Sequence, residues 1–270
     1  MTRVAVLGGG VAGLTAAHEL AERGYVCLAL DYPLLHTSEY KTDPYALKYD
    51  SATMKGIVNH RRGVDLLRSL PYVDAEAIGA IGHSLGGHNA LFVAAFDERI
   101  RAVVTSCGFT AFAKYYGGNL KGWTSTRYMP RINDVYANSP AKVPFDFTDV
   151  FAAIAPRAIF VNAPTRDANF DVTGVDDVAN AVKSHFPKGR LVIEHPEAEH
   201  DFPAPVRLRS YRFLDKNKLN RLPLLQSFYN LRTTCIAKLP NLATWSARRC
   251  TEMNTFRSRT RVLWSWIPAT

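Results

Sequence analysis

The chain has 270 residues, 47% of them hydrophobic and 21% charged, which excludes a wholly disordered or fibrous polypeptide. Its four cysteines, at 27, 107, 235 and 250, form no CxxC pair, so composition suggests neither a zinc site nor a disulfide framework. The net charge of +9 is unevenly spread. Residues 221–270 hold eight basic residues and one acid, leaving 25 basic and 23 acidic residues in 1–220, a net of +2. A specific nucleic-acid role is therefore not expected of the body of the chain.

Residues 3–7, RVAVL, read as a buried strand running into Gly8-Gly9-Gly10. A helix is predicted over 11–23 from the spacing of Val11, Leu14, Ala17 and Leu20, with Gly24 as its stop. A second strand, 25–30, ends at Asp31-Tyr32-Pro33. Together these make a βαβ unit, and its nearly continuous apolar strands predict a parallel sheet covered on both faces. A helix over 54–69, a strand over 77–82, a helix over 86–96 and a strand over 100–105 follow. Residues 109–150 are aromatic, contain Gly and Pro and are weakly periodic, as expected of an excursion over the sheet. Strands over 157–162 and 190–194, a helix near 174–184 and a closing helix over 205–216 complete the pattern. The fold class is thus α/β, a mostly parallel open sheet with helices on both faces, in one domain spanning about 1–220. Residues 221–270 contain no Gly and no Asp yet hold three of the four Trp, and are expected to lie outside that domain and pack poorly.

Gly82-His83-Ser84-Leu85-Gly86-Gly87 lies between a predicted strand and a predicted helix. This fits the G-x-S-x-G nucleophile elbow, in which a sharp turn exposes a strained serine and small flanking residues admit the neighbouring backbone. The Leu85 N–H at the helix start would face charge developing on a substrate oxygen. A serine of ordinary pKa needs a base oriented by an acid, and in this arrangement the chain order is serine, acid, histidine. Asp167 and His200 each follow a strand's end, where sites on open α/β sheets collect. Asp171 is the rival acid and His195 the rival base. Tyr115, Tyr116, Trp123 and Tyr128 are either pocket-lining or packing residues, and Cys107 reads as a buried small apolar side chain.

Residues 24–217 resemble an α/β-hydrolase of the dienelactone-hydrolase and acetyl-xylan-esterase-like group. The runs that carry the likeness are GYVCLALDYP, YKTDPYALKYDSATMKGIVNHRRGVDLLRSL, IGAIGHSLGGHNALFVAAFDERIRAVVTSCGFT, APRAIFVNAPTRDANFDVTGV and HPEAEHDFP. The resemblance implies a Ser84–His200–Asp167 triad that hydrolyses a small-molecule carboxylic ester or related acyl bond without a cofactor. The N-terminus departs from that group. Where a His-Gly loop would supply the second oxyanion N–H, this chain has LGGGVAG, so the Gly9–Gly10 backbone is the candidate donor.

Residues 1–31 resemble instead the start of an FAD-dependent oxidoreductase. Gly8-x-Gly10-x-x-Gly13 follows a strand and opens a helix, and Asp31 ends the next strand at the ribose-binding position. The competing expectation is therefore an FAD- or NAD(P)-binding oxidoreductase fragment, or a catalytically inactive chimera. No run of 18 apolar residues and no secretory signal is evident, which places the protein in the cytoplasm as an expectation.

Overall fold

In the computed structural model, residues 2–8, 11–33 and 43–217 are described. Among these residues six strands form one all-parallel sheet: β1 (Thr2–Gly8), β2 (Tyr25–Leu30), β3 (Val73–His83), β4 (Ile100–Ser106), β5 (Ala158–Asn162) and β6 (Leu191–Glu194). Their order across the sheet is β2-β1-β3-β4-β5-β6. The chain steps outward from β1 to β2, then returns to β3 on the other side of β1. Such a reversal opens a crevice at the strands' C-terminal ends.

The first βαβ unit is built into this sheet. β1 lies between β2 and β3, with Val4 opposite Val26 on one side and Ile78 on the other. Strand residues alternate between two cores, as the two-residue period requires. Ile78, Ala80, Val103, Ile159 and Val161 point to one face. Ala77, Ile81, Ala102, Val104, Ala158 and Phe160 point to the other.

Two helices cover the second face: α1 (Val11–Glu22), through Ala16, Ala17 and Leu20, and α7 (Ala204–Lys216), through Val206, Tyr211, Phe213 and Leu214. On the first face lie α2 (Ala52–Ser69) and α3 (Leu85–Phe96). Ser51 caps α2, its hydroxyl accepting the Met54 N–H at 3.0 Å. In α3, residues 86–95 are all buried, so this helix is apolar all round because it is enclosed all round. Gly63 of α2 sits where a Cβ would lie 2.8 Å from Leu30, which is how that helix approaches the sheet closely.

The excursion after β4 holds short 3-10 turns at Tyr115–Gly118 and Leu120–Trp123 and the single turn α4 (Arg131–Asp134). It leads into α5 (Phe147–Ile154), which falls partly inside the stretch predicted to be irregular. A capping box between Asp146 and Asp149 starts α5. The helix buries Phe147, Val150, Phe151 and Ile154, an i, i+3, i+4, i+7 stripe confined to eight residues. Helix α6 (Val172–Val182) completes this face, capped by Asp171. β3 also starts earlier than expected, at Val73 rather than residue 77, because the polar Asp74 and Glu76 mask its first turn of pleat.

Candidate active site

The β3–α3 junction is a tight turn. Ser84 has φ 54° and ψ −121°, a conformation that costs a non-glycine residue of order 1–3 kcal/mol. Glycine at 82 is compulsory, since a Cβ there would lie 2.1 Å from the Gly86 carbonyl carbon and oxygen. Gly87 is a second requirement that the sequence motif does not state: its Cβ would lie 2.8 Å from both the Ser106 carbonyl and the Thr105 hydroxyl on β4. The turn is tied to β4 by a hydrogen bond from the Ser84 N–H to the Ser106 carbonyl at 2.7 Å.

Three side chains from three strand ends meet at this turn. The Ser84 Oγ lies 2.8 Å from His200 Nε2. His200 Nδ1 lies 3.0 Å from each carboxylate oxygen of Asp167. Since a carboxylate only accepts, His200 carries its proton on Nδ1 and presents the Nε2 lone pair to the serine hydroxyl. The Asp167 side chain is 2% exposed. Burial pushes its carboxyl upward, but the His200 hydrogen bond and the Asn169 N–H outweigh that and hold it below the usual carboxylate range. Asp167 Oδ1 accepts the Asn169 N–H at 2.8 Å, which fixes the loop after β5.

The rivals sit elsewhere. Asp171 caps α6, accepting from the Thr173 N–H at 2.8 Å. His195 bonds the Ala163 carbonyl at 2.8 Å and Asp176 at 3.0 Å. Among the described residues neither bonds Ser84, and each carries a structural bond of its own. Leu85 is the first residue of α3, where N–H groups have no partner within the helix and the dipole favours negative charge. Gly9 and Gly10, the candidates for the second oxyanion donor, lie outside the described residues.

Of the aromatics, Tyr115 and Trp123 are packing residues, buried against Phe112, Phe147 and Phe170. Tyr128 tilts against Tyr32 at a ring separation of 6.5 Å. Tyr116 alone of the four stands exposed, its hydroxyl donating to Asn169 on the acid's loop at 3.0 Å. Cys107 is buried, and burial followed by the neighbouring Asp167 pushes its thiol well up, leaving it a poor nucleophile.

The glycine pattern of the N-terminus divides between elements. Gly8 ends β1 opposite Leu30, Gly13 lies inside α1, and Asp31 is exposed just beyond β2. The turn that would cradle a pyrophosphate, at Gly9 and Gly10, lies outside the described residues. No helix among the described residues is long and apolar enough to cross a membrane.

Comparison with known proteins points one way. Residues 58–184, just under half of the chain, match the family model "Glucuronyl esterase, fungi". The uncharacterized protein PA2218 of Pseudomonas aeruginosa is 30% identical over 136 residues, which is 47% of this chain and 35% of that one. The quorum-quenching protein AidA of Acinetobacter baumannii is 33% identical over 98 residues, 36% of this chain and 31% of that one. The chain thus spans about a third of the length of these relatives. Among solved structures, a carbohydrate esterase family 15 glucuronoyl esterase from Caldicellulosiruptor kristjansonii matches with a TM-score of 0.65 at 16% identity, covering 88% of this chain and 73% of that one. An esterase from Pyrococcus furiosus matches with a TM-score of 0.57 at 20% identity, covering 80% and 82%. The nucleotide-site reading of residues 1–31 gains no support from these likenesses. The fold, with its parallel sheet, its strained serine turn after β3 and its helices on both faces, is that of the α/β-hydrolases.

Proposed function

We propose that the protein is a serine hydrolase of carboxylic esters, with Ser84 as nucleophile, His200 as base and Asp167 as the acid that orients it. The observation that carries this reading is the unbroken chain Ser84 Oγ–His200 Nε2, 2.8 Å, and His200 Nδ1–Asp167, 3.0 Å, at a turn strained to expose the serine.

In this reading His200 Nε2 takes the Ser84 proton as Oγ adds to the acyl carbon. The oxygen that gains charge is met by the Leu85 N–H at the start of α3, with the Gly9–Gly10 backbone as the proposed second donor. His200 then gives its proton to the leaving alcohol. Water, deprotonated by the same nitrogen, cleaves the acyl-serine ester and restores Ser84. Asp167 stays ionised throughout and stabilises the imidazolium. Loss of one oxyanion donor in such a site costs roughly 100- to 1,000-fold in rate, so the unusual N-terminal loop bears directly on turnover. The family match over 58–184 makes an ester of a glucuronyl group the first substrate to try, beside short-chain aryl esters.

The test is hydrolysis of both substrates by the wild-type protein and by Ser84→Ala. Turnover by the wild type that falls to background in Ser84→Ala supports the assignment, and equal rates in the two proteins overturn it. An absorption spectrum of the pure protein separates the competing class. The proposal expects no flavin band, and a stoichiometric flavin bound through Asp31 would transfer the chain to the oxidoreductases.

A further inference from the structure

Beneath the three site residues the ends of β4 and β5 carry a buried polar chain that the reaction itself does not use. Ser106 and Asn162 are register partners across these strands, and both side chains are fully buried. Asn162 Nδ2 lies 2.9 Å from the Asp201 carbonyl and 2.8 Å from Ser106 Oγ. Ser106 Oγ in turn lies 2.9 Å from His83 Nδ1 and 3.8 Å from Cys107 Sγ.

The direction of each bond follows from chemistry. The Asp201 carbonyl can only accept, so the amide of Asn162 must turn its NH₂ toward it. The second proton of that NH₂ then faces Ser106 Oγ, which accepts. The Ser106 hydroxyl has its own proton left to donate, and His83 Nδ1 is the nearer and stronger acceptor. Burial, and then the neighbouring His200, hold the His83 imidazole below the usual histidine range, which keeps that nitrogen free to accept. The Asn162 Oδ1 is buried with no protein partner among the described residues. Leaving such an acceptor unpaired is costly, so the residue is held here by what its NH₂ does.

Asp201 is the residue after His200, and His83 is the residue before Ser84. The chain of bonds therefore joins the backbone that carries the base to the backbone that carries the nucleophile, across two rigid strand ends. Cys107 adds to it, its thiol 3.4 Å from the same Asp201 carbonyl. We propose that Asn162, acting through Ser106 and His83, is a positioning residue that fixes the His200 loop relative to Ser84 and so holds the imidazole between the nucleophile and Asp167.

This rests on the Ser84–His200–Asp167 reading, and its test separates the two. The proteins compared are wild type, Ser84→Ala, Asn162→Ala and Ser106→Ala. The readouts are kcat, KM, melting temperature and the low-field proton resonance of His200 Nδ1, assigned by its loss in His200→Gln. A loosened imidazole should lower kcat roughly 10- to 100-fold in Asn162→Ala, and less in Ser106→Ala, with KM nearly unchanged. The low-field resonance should broaden or move upfield in both. Ser106→Ala removes a single hydroxyl, so it carries the test if Asn162→Ala does not fold. A folded variant with wild-type kcat and an unmoved resonance overturns the proposal, as does a fall in kcat with the resonance unchanged. Undiminished turnover by Ser84→Ala would instead overturn the reading of the triad, while the resonance would still report whether Asn162 places His200.

Discussion

Asp167 faces His200 with a carboxylate that is buried and accepts from Nδ1. Asp167→Asn keeps the shape but turns an amide toward that nitrogen and favours the wrong tautomer. In serine hydrolysis this change costs about 10⁴-fold in kcat, and the same order is expected here, measured with a short-chain ester at neutral pH. Acid should have a related effect on stability. The folded carboxyl ionises below its usual range, so the ionised form is favoured by folding. Its contribution is complete above the ordinary carboxylate range and is lost as pH falls through the depressed folded value. Urea midpoints should therefore drop in acid more steeply for wild type than for Asp167→Asn, and parallel curves would count against the electrostatic account. Ser84, Asp167 and His200, which the structure brings within hydrogen-bond distance, were legible in the chain because a strand–turn–helix motif and a fixed order of residue types point to them. Asn162 and Ser106 were not. Their pairing depends on the register of β4 against β5, and no local pattern in SCG or VNA announces it.

At the level of elements, most strands and helices show in the sequence because burial on both faces of a parallel sheet leaves long apolar runs between glycine stops. The exception, α5, is instructive. It is only eight residues long and follows an irregular aromatic stretch, yet Phe147, Val150, Phe151 and Ile154 keep the helical i, i+3, i+4, i+7 spacing and its start was written in Asp146-Phe147-Thr148-Asp149 as a capping box. The Asp146 carboxylate also accepts the Phe112 N–H at 3.0 and 3.1 Å, so one side chain ties the helix to the aromatic excursion. Asp146→Ala should cost about 2 kcal/mol, the upper end of the range for a helix cap, and Asp149→Ala less; urea titration of both checks the order. The serine turn makes a harsher demand. Gly82→Ala puts a methyl into the Gly86 backbone at 2.1 Å, where no side-chain motion relieves it. That protein should lose ester turnover and most of its stability together, whereas Ser84→Ala should lose turnover alone.

Across the whole molecule, the N-terminal βαβ unit is held to the C-terminal helix by a polar cluster. Arg207 donates to Glu19 through Nε and Nη2 at 2.9 and 2.8 Å, and the Tyr211 hydroxyl donates to the same carboxylate at 2.7 Å. The resemblance of residues 1–31 to a nucleotide-binding start rests on Gly8, Gly10, Gly13 and Asp31 with the strand and helix between them, and that helix, α1, is bonded to α7 on the second face of the sheet. Glu19→Gln should cost about 1 kcal/mol, since it weakens a charge-assisted pair that is only partly shielded from water. Helix α7 is also where the described fold closes. It covers the second core with Val206, Tyr211, Phe213 and Leu214, and it ends at Asn217, whose side chain and N–H both donate to the Phe213 carbonyl. The central strands β4 and β5 and the second half of β3 are buried by that point, while the edge strand β6 stays half-buried; the expectation is that the core does not need the basic, Trp-containing segment 221–270, which lies outside the described residues. A chain ended after Asn220 should melt within about 4 °C of the full protein, equivalent to about 1 kcal/mol for a domain of this size, and keep its ester turnover. It should also be the more soluble of the two, because Trp245, Trp264 and Trp266 beside eight basic residues favour non-specific association. Unfolding of the shortened chain would mean that the segment completes the core, and the division of the chain at about residue 220 would then be wrong.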